Sequence, residues 1–302
     1  MSALTVRLAE QTERPEVLAW LGLHVGAVDP KGFATEVLHL FRRSPEAGHN
    51  LFGAWLGNTL VGAAWVTPLP GAVVLVWPPL GAQDAAVAAQ LWSQVDAAIQ
   101  RQNVKLAQIV LPEVDESTAA AMSAHGFVPL TTLKYLQRQL TRVPHCPLEE
   151  LDLLPVDRQS PVLATLLPRT YEGSQDCPEL DGVRTIAEVL EGHAGDPTVN
   201  DPHWWLIKKK DGEKGVMLVN ADRTAPLWDL VYFGLVPEAR GQGLGRQTLG
   251  WLLEHAQSRG ARILTVAVDA RNVVALRLYK GLGFEPFDQR QVWWRRVHVK
   301  IE

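Results

Sequence analysis

The sequence predicts a mixed α/β (α+β) fold built as two tandem halves. The chain has 302 residues, which exceeds the usual size of one domain. Strand-like and helix-like segments alternate, and the same order of segments starts again after the proline-containing stretch 141–147. We therefore expect domains at 1–142 and 143–302. Two unrelated α/β pieces in one chain are the alternative.

In the first half, alternation, periodicity and turn residues predict each element in order. Strands are predicted at 4–8, 49–55, 59–67, 72–77, 106–111 and 134–140, and helices at 15–23, 32–43, 85–100 and 117–124. Gly57-Asn58 predicts a hairpin turn between the second and third strands. Pro78-Pro79 ends the fourth strand.

The second half repeats this order. Helices are predicted at 159–169, 181–191, 247–258 and 273–279, and strands at 203–208, 215–221, 228–236, 263–268 and 291–299. Asp211-Gly212 predicts a hairpin turn. Aligning Gly126-Phe127 with Gly283-Phe284 brings the two sets of elements into register. This agreement favours a tandem duplication.

Composition excludes several classes of protein. The net charge of -4 and the pI near 6.2 argue against a nucleic-acid or anionic-membrane binder. The two cysteines, Cys146 and Cys177, form neither a disulfide framework nor a zinc pattern, and we expect no metal. No window of about 18 apolar residues and no signal-peptide pattern is present. We expect a cytoplasmic protein with reduced thiols.

A glycine-rich turn between a predicted strand and a predicted helix is the strongest local motif. It reads Arg240-Gly241-Gln242-Gly243-Leu244-Gly245-Arg246. Glycines leave backbone N–H groups uncovered, and the helix that follows points its positive dipole end at the same place. Such a turn suits a phosphate or pyrophosphate. A glycine-rich connection without a ligand is the alternative.

This stretch resembles the Q/R-x-x-G-x-G/A signature of the GNAT superfamily of acyl-CoA N-acyltransferases. A second GNAT-like segment follows: Val266-Ala267-Val268, Asn272, Ala275, Leu278-Tyr279 and Gly283-Phe284. Together the two segments cover about 227–284. The resemblance implies two tandem GNAT domains, each with a mixed, mostly antiparallel sheet flanked by helices. By the same resemblance, 143–302 is the catalytic domain and 1–142 is a degenerate copy.

The resemblance implies acetyl-CoA as cosubstrate and transfer of its acetyl group to a primary amine by direct attack on the thioester. Residues 240–246 then hold the pyrophosphate, Asn272 contacts the CoA arm or caps its helix, and Leu235 and Val236 lie beside the thioester. Backbone near Tyr232, Phe233 and Gly234 is expected to line the split in the sheet and to form a β-bulge, which Gly234 would permit. Tyr279 is the expected acid for the leaving thiolate, and packing of its helix is the alternative role.

Asp229 is the first candidate for the base, because an acid inside the apolar run 228–236 has a raised pKa if it is buried. A solvent-facing Asp229, or a chain of waters in its place, is the alternative. The acidic loop 170–179 suits a cationic amine, with Glu172 and Asp176 as candidate substrate ligands. A solvated loop is the alternative there. We expect a small-molecule partner, and a monomer or homodimer.

The first half lacks these features. Its counterpart of the glycine turn reads Pro78-Pro79-Leu80-Gly81, and Met122 aligns with Tyr279. Two prolines remove N–H donors, so we expect little or no acetyl-CoA binding there. A non-catalytic acyl-CoA-binding or regulatory protein remains the alternative function. A P-loop is disfavoured because the Gly-Lys-Ser/Thr ending is missing.

Overall fold

The structure is a computed structural model that describes residues 3–197 and 200–298. The chain forms two compact units: Met1–Leu130 with Arg290–Glu302, and Thr131–Gln289. These units differ from the predicted division at 142/143. The difference arises because residues 131–142 belong to the second unit and Arg290 onward belongs to the first, so each unit takes a strand segment from beyond the predicted boundary. The end of the last predicted strand, at Val299, lies outside the described residues.

The described part of the chain contains twelve strands and eight α-helices. Those of the first half are β1 (Leu4–Leu8), α1 (Arg14–His24), α2 (Pro30–Arg43), β2 (Leu51–Leu56), β3 (Thr59–Leu69), β4 (Val73–Leu80), α3 (Ala85–Gln100), β5 (Leu106–Leu111), α4 (Glu116–Ala124) and β6 (Val128–Gln139). Those of the second half are β7 (Asp152–Pro155), α5 (Pro161–Tyr171), α6 (Ile186–Ala194), β8 (Asn200–Lys209), β9 (Gly212–Asp222), β10 (Leu227–Leu235), α7 (Leu244–Ser258), β11 (Ile263–Asp269), α8 (Val273–Gly281) and β12 (Glu285–Arg296).

The first unit contains a sheet in the order β1-β2-β3-β4-β5-β12. All neighbours are antiparallel except β4 and β5. Its last strand is the end of β12, where residues 291–296 pair with β5. Apolar side chains of α3 and the strands form one core cluster, and those of α1, α2 and β3 form another. The sheet is therefore covered by helices.

The second unit repeats this plan in the order β6-β11-β10-β9-β8-β7. Only β10 and β11 are parallel, so the predicted mixed, mostly antiparallel sheet is confirmed. The predicted helix at 181–191 instead starts at Ile186, because Thr185 and Glu188 form a capping box. The short strand β7 was not predicted.

The sheet of the second unit splits between β10 and β11. The two strands pair only over Leu227–Leu230 and residues 263–266. A register shift between Leu230 and Tyr232 bends β10 toward β9, which it follows to Leu235. The bulge lies at the start of the stretch expected to line the split, Tyr232 to Gly234. The end of β10 therefore diverges from β11 and leaves an opening in the sheet.

No helix among the described residues is both long enough and apolar enough to cross a membrane.

Candidate active site

A cavity of about 420 Å³ occupies the opening between β10 and β11. Its walls come from both strands, the glycine turn, the loop after α5 and the inner face of α8. The lining residues are Thr170, Gly173, Ser174, Gln175, Asp176, Leu230, Val231, Tyr232, Phe233, Gly234, Leu235, Arg240, Gly241, Gly243, Gly245, Arg246, Val266, Ala267, Val268, Asn272, Val274, Ala275, Leu278 and Tyr279. Most of the predicted site residues thus lie around one pocket.

The glycine turn lines this pocket and carries unbonded backbone amides. Among the described residues, no hydrogen bond is made by the backbone N–H groups of 241–245. Gly243 has φ of +78° and precedes the first residue of α7. A side chain is disfavoured in this left-handed conformation. The exposed amides and the helix N-terminus together form an anion-binding cradle.

The two arginines of the turn differ in how strongly the protein holds their side chains. Arg240 donates from Nε to the Leu235 carbonyl at 3.0 Å and from Nη2 to the Thr170 carbonyl at 3.1 Å. It therefore ties the end of α5 to the end of β10. Arg246 is exposed, and within the described residues its guanidinium makes one long contact, 3.4 Å to the Gly281 carbonyl. Arg246 has the greater freedom to meet a phosphate.

At Gln242 and Leu244 the side chains are engaged within the fold, which leaves their backbone groups to contact a cofactor. The side chain of Gln242 donates to the Glu238 carbonyl at 2.6 Å, and the side chain of Leu244 is buried. Val236 is 2% exposed, and its N–H and carbonyl bond to Lys214 and Ala239 within the fold. Val236 therefore has a packing position rather than one open to the pocket.

The α8 helix supplies Asn272 and Tyr279. Asn272 caps the helix, since its Oδ1 accepts from the Ala275 N–H at 3.1 Å, and it also lines the pocket. Tyr279 is 5% exposed and packs edge-on against Phe284. Its hydroxyl makes no hydrogen bond within the described residues. Burial raises the pKa of Tyr279 above its ordinary value, and the charge of Asp176 adds to this.

Asp229 lies apart from this group. It sits where β10 still pairs with both neighbours, opposite Asn220 and Thr265. Its carboxyl accepts a 2.7 Å hydrogen bond from Thr265 Oγ1 and is not among the described groups that line the pocket. Burial raises the pKa of Asp229, as the sequence suggested, and the hydrogen bond from Thr265 opposes this shift.

Of the two acids predicted on the acceptor side, the structure brings one to the pocket. Asp176 lines it, whereas Glu172 is exposed at the end of α5 and does not. Desolvation of the carboxyl by surrounding protein raises the pKa of Asp176, although the outer part of the residue is open to solvent.

An ion-pair network that sequence reasoning missed holds this loop. Asp269 is fully buried and accepts hydrogen bonds from Arg271, Thr131 Oγ1 and the Cys177 N–H. Arg271 also pairs with Glu179 through both carboxylate oxygens. Burial raises the pKa of Asp269, but these hydrogen bonds outweigh it and bring the pKa to about 2. The network fixes residues 177–179 against the end of β11.

The carboxylates of Asp176 and Asp269 and the Cys177 thiol bring their ligand atoms within 4.8 Å of one another. This spacing suits a metal, but the Arg271 guanidinium already supplies the positive charge, at 2.7 Å from Asp269. Burial raises the pKa of the Cys177 thiol, which disfavours a thiolate ligand. The donor set therefore fits an ion pair better than a metal ion.

The equivalent helix N-terminus in the first unit is closed. Asp84 caps α3, because its carboxylate accepts from the Ala86 N–H at 2.7 Å. A carboxylate at this position repels an anion and occupies a donor that a phosphate needs. Met122 is fully buried in the core of this unit. These features argue against a second cradle there.

Comparison with known proteins agrees with this geometry. Residues 170–284 match the acetyltransferase (GNAT) family. A mycothiol acetyltransferase from Streptomyces griseus is 27% identical over 145 residues, which cover 44% of this chain and 47% of the relative. Matches to mycothiol acetyltransferases span less than half the length of those relatives.

Solved structures resemble the whole chain. A GCN5-related N-acetyltransferase from Sphaerobacter thermophilus has a TM-score of 0.65 at 16% identity, covering 99% of this chain and 97% of its own. A tandem GNAT protein from the clavulanic acid biosynthesis pathway has a TM-score of 0.56 at 16% identity, covering 98% of both chains. At this identity the likeness concerns the fold. Residues 170–284 are thus similar to the acetyltransferase (GNAT) family, within a chain whose fold resembles that of tandem GNAT proteins.

Proposed function

We propose that this protein transfers an acetyl group from acetyl-CoA to the primary amine of a small molecule. The observation that carries the proposal is the shared pocket: the glycine turn, with its free backbone amides, and Tyr279 line the same cavity. The cradle suits a pyrophosphate, and the gap between β10 and β11 admits an extended pantetheine arm. The whole ligand then brings its thioester toward Tyr279.

The chain's own groups supply the remaining chemistry. The amine attacks the thioester carbonyl directly, and backbone N–H groups at the end of β10 near Leu235 stabilise the oxyanion. Tyr279 protonates the sulfur as the C–S bond breaks. Its raised pKa keeps the phenol protonated in the resting enzyme, which is the state that an acid needs.

The second unit acts as the catalytic one in this proposal, and the first unit has a structural role. The closed N-terminus of α3 and the buried Met122 support this division. The acceptor is a cationic small molecule. Because several relatives are named mycothiol acetyltransferase, the mycothiol precursor without its acetyl group is one acceptor to include among amines for testing.

The Tyr279→Phe variant tests the proposal. We expect turnover to fall about 100-fold, because the leaving thiolate loses its acid. The acetyl-CoA affinity should stay unchanged, because the ring still packs on Phe284. Acetylated product is measured by mass spectrometry over amino acids, polyamines, aminoglycosides and the mycothiol precursor, with calorimetry for acetyl-CoA binding. Tight binding without turnover of any amine would favour a non-catalytic acyl-CoA-binding protein.

A further inference from the structure

Asp176 is distinguished by its position in the pocket. Among the described residues that line the cavity, it is the sole carboxylate. Tyr232 and Tyr279 line the same cavity, on β10 and α8. An amine that enters this cavity between β10 and α8 therefore meets one acidic group, and that group lies on the loop after α5.

The Asp176 carboxylate is also the acid that the fold leaves available. One oxygen accepts a long 3.4 Å contact from the Asp269 N–H, and no described cation forms a salt bridge with it. By contrast, Asp269 and Glu179 are both paired with Arg271. Asp229 is bonded to Thr265 outside the pocket. An incoming ammonium group would give Asp176 the partner that the protein does not.

The loop that carries Asp176 is held in place from both sides. The Asp176 N–H donates to Ser174 Oγ at 3.1 Å, and the next residue, Cys177, donates its N–H to Asp269 at 3.2 Å. Cys177 adopts a left-handed backbone conformation with φ of +48°. This anchoring aims the Asp176 side chain into the cavity, so the carboxylate is preorganised before substrate binds.

We propose that Asp176 is the catalytic base of this site: its carboxylate binds the ammonium group of the acceptor and takes one of its protons. This proposal rests on the proposed acetyl transfer. It gives Asp176 the role of base, for which Asp229 was the first candidate. It also limits the acceptor to an amine that is cationic at neutral pH.

The protons balance with Asp176 and Tyr279 as the two carriers. One ammonium proton moves to Asp176, and the neutral amine forms the new N–C bond. The C–S bond breaks, and the thiolate takes the Tyr279 hydroxyl proton. The second nitrogen proton restores Tyr279, and the third stays on the amide. Asp176 then releases its proton to solvent, to which the residue is open.

The groups around Asp176 shift the pKa of its carboxyl in the direction that a base needs. Desolvation and the negative charge of Asp269 raise the pKa of Asp176 above the usual range for a carboxyl, and the Arg271 charge opposes them. A base with a raised pKa takes a proton from an ammonium group more readily. The ionisable groups that face it from neighbouring elements are Tyr232, Tyr279, Cys177, Asp269 and Arg271.

The test compares pH profiles of kcat/KM in the full chain, with acetyl-CoA and the amine of the panel that wild type turns over fastest. Asp176→Asn should lower kcat/KM about 100-fold at neutral pH and abolish the acidic limb of the profile. Asp176→Glu should restore part of both. The matched control is Asp181→Asn, on the same loop but outside the pocket, which should keep the wild-type profile.

Calorimetry with acetyl-CoA separates this role from a folding defect, since Asp176→Asn should bind acetyl-CoA as wild type does. Loss of the acidic limb in Asp229→Asn, with its retention in Asp176→Asn, would overturn the assignment and leave the acetyl transfer standing. Failure of wild type to acetylate any amine would overturn both.

Discussion

The half-buried histidine of α6, His193, is expected to make the stability of the protein sensitive to acid. The His193 ring lies 5.4 Å from the ring of Tyr232. Burial, and secondarily the charge of Arg184, lowers the pKa of His193 to about 4. The unfolded chain binds this proton near pH 6.5, so the unfolded state takes up a proton between pH 6.5 and 4 that the folded state does not.

We therefore expect the free energy of unfolding to fall as the pH drops through this window, with His193 contributing about 2 kcal/mol of the loss by pH 5. Urea denaturation of wild type and His193→Gln at pH 7.5 and pH 5 measures that part of the loss. His39→Gln, at an exposed position on α2, is the control and should leave the pH dependence intact. An unchanged slope in His193→Gln would contradict the expectation.

At the scale of elements, the two ends of α7 offer a matched comparison. Gly243 precedes the helix with φ of +78°, and Gly260 follows it with φ of +89°. A Cβ at either position meets nothing within 4 Å. Alanine should therefore cost about 1 kcal/mol of stability at both, through backbone conformation alone.

Only Gly243→Ala should weaken acetyl-CoA binding, by about tenfold or more, because it shifts and covers the amides of the cradle. Calorimetry gives the affinity, and urea denaturation gives the matched loss of stability. Equal affinities in Gly243→Ala and Gly260→Ala would mean that the turn does not hold the cosubstrate.

The elements predicted best from the sequence are those whose conformation is determined by residues adjacent in the chain. The glycine turn follows from the chemistry of consecutive residues, and the hairpin of β8 and β9 from Asp211-Gly212. The network at Asp269 could not be found in this way. Its partners Cys177 and Thr131 are 92 and 138 residues away in the chain. Nor could Asp176 be separated from Glu172, because both are acids in one polar loop.

At the scale of the whole molecule, strand order was the least predictable feature. β6 and β12 each follow the last helix of a half and have similar patterns, so sequence alone pairs each with its own half. In the structure, β6 pairs with β11, and residues 291–296 of β12 pair with β5. Within the first unit, Arg295 Nη1 on β12 donates to Asp96 and to the His125 carbonyl, both at 2.6 Å.

This exchange predicts how the chain responds to division. A fragment of residues 1–142 keeps β6 but lacks the strand that covers β5, together with Arg295, one of the two partners of Asp96 among the described residues. An uncovered strand edge favours aggregation. We expect this fragment to lack a cooperative unfolding transition alone and to regain one when it is co-expressed with 143–302.

The matched design joins residues 1–130 to 290–302 through a flexible glycine-serine linker, which restores β12 to its partner within one unit. Circular dichroism during urea denaturation should show cooperative unfolding for this design. If 1–142 alone unfolds as cooperatively as the joined design, then β5 does not need residues 291–296, and the domain boundary at 142/143 is the one that governs folding.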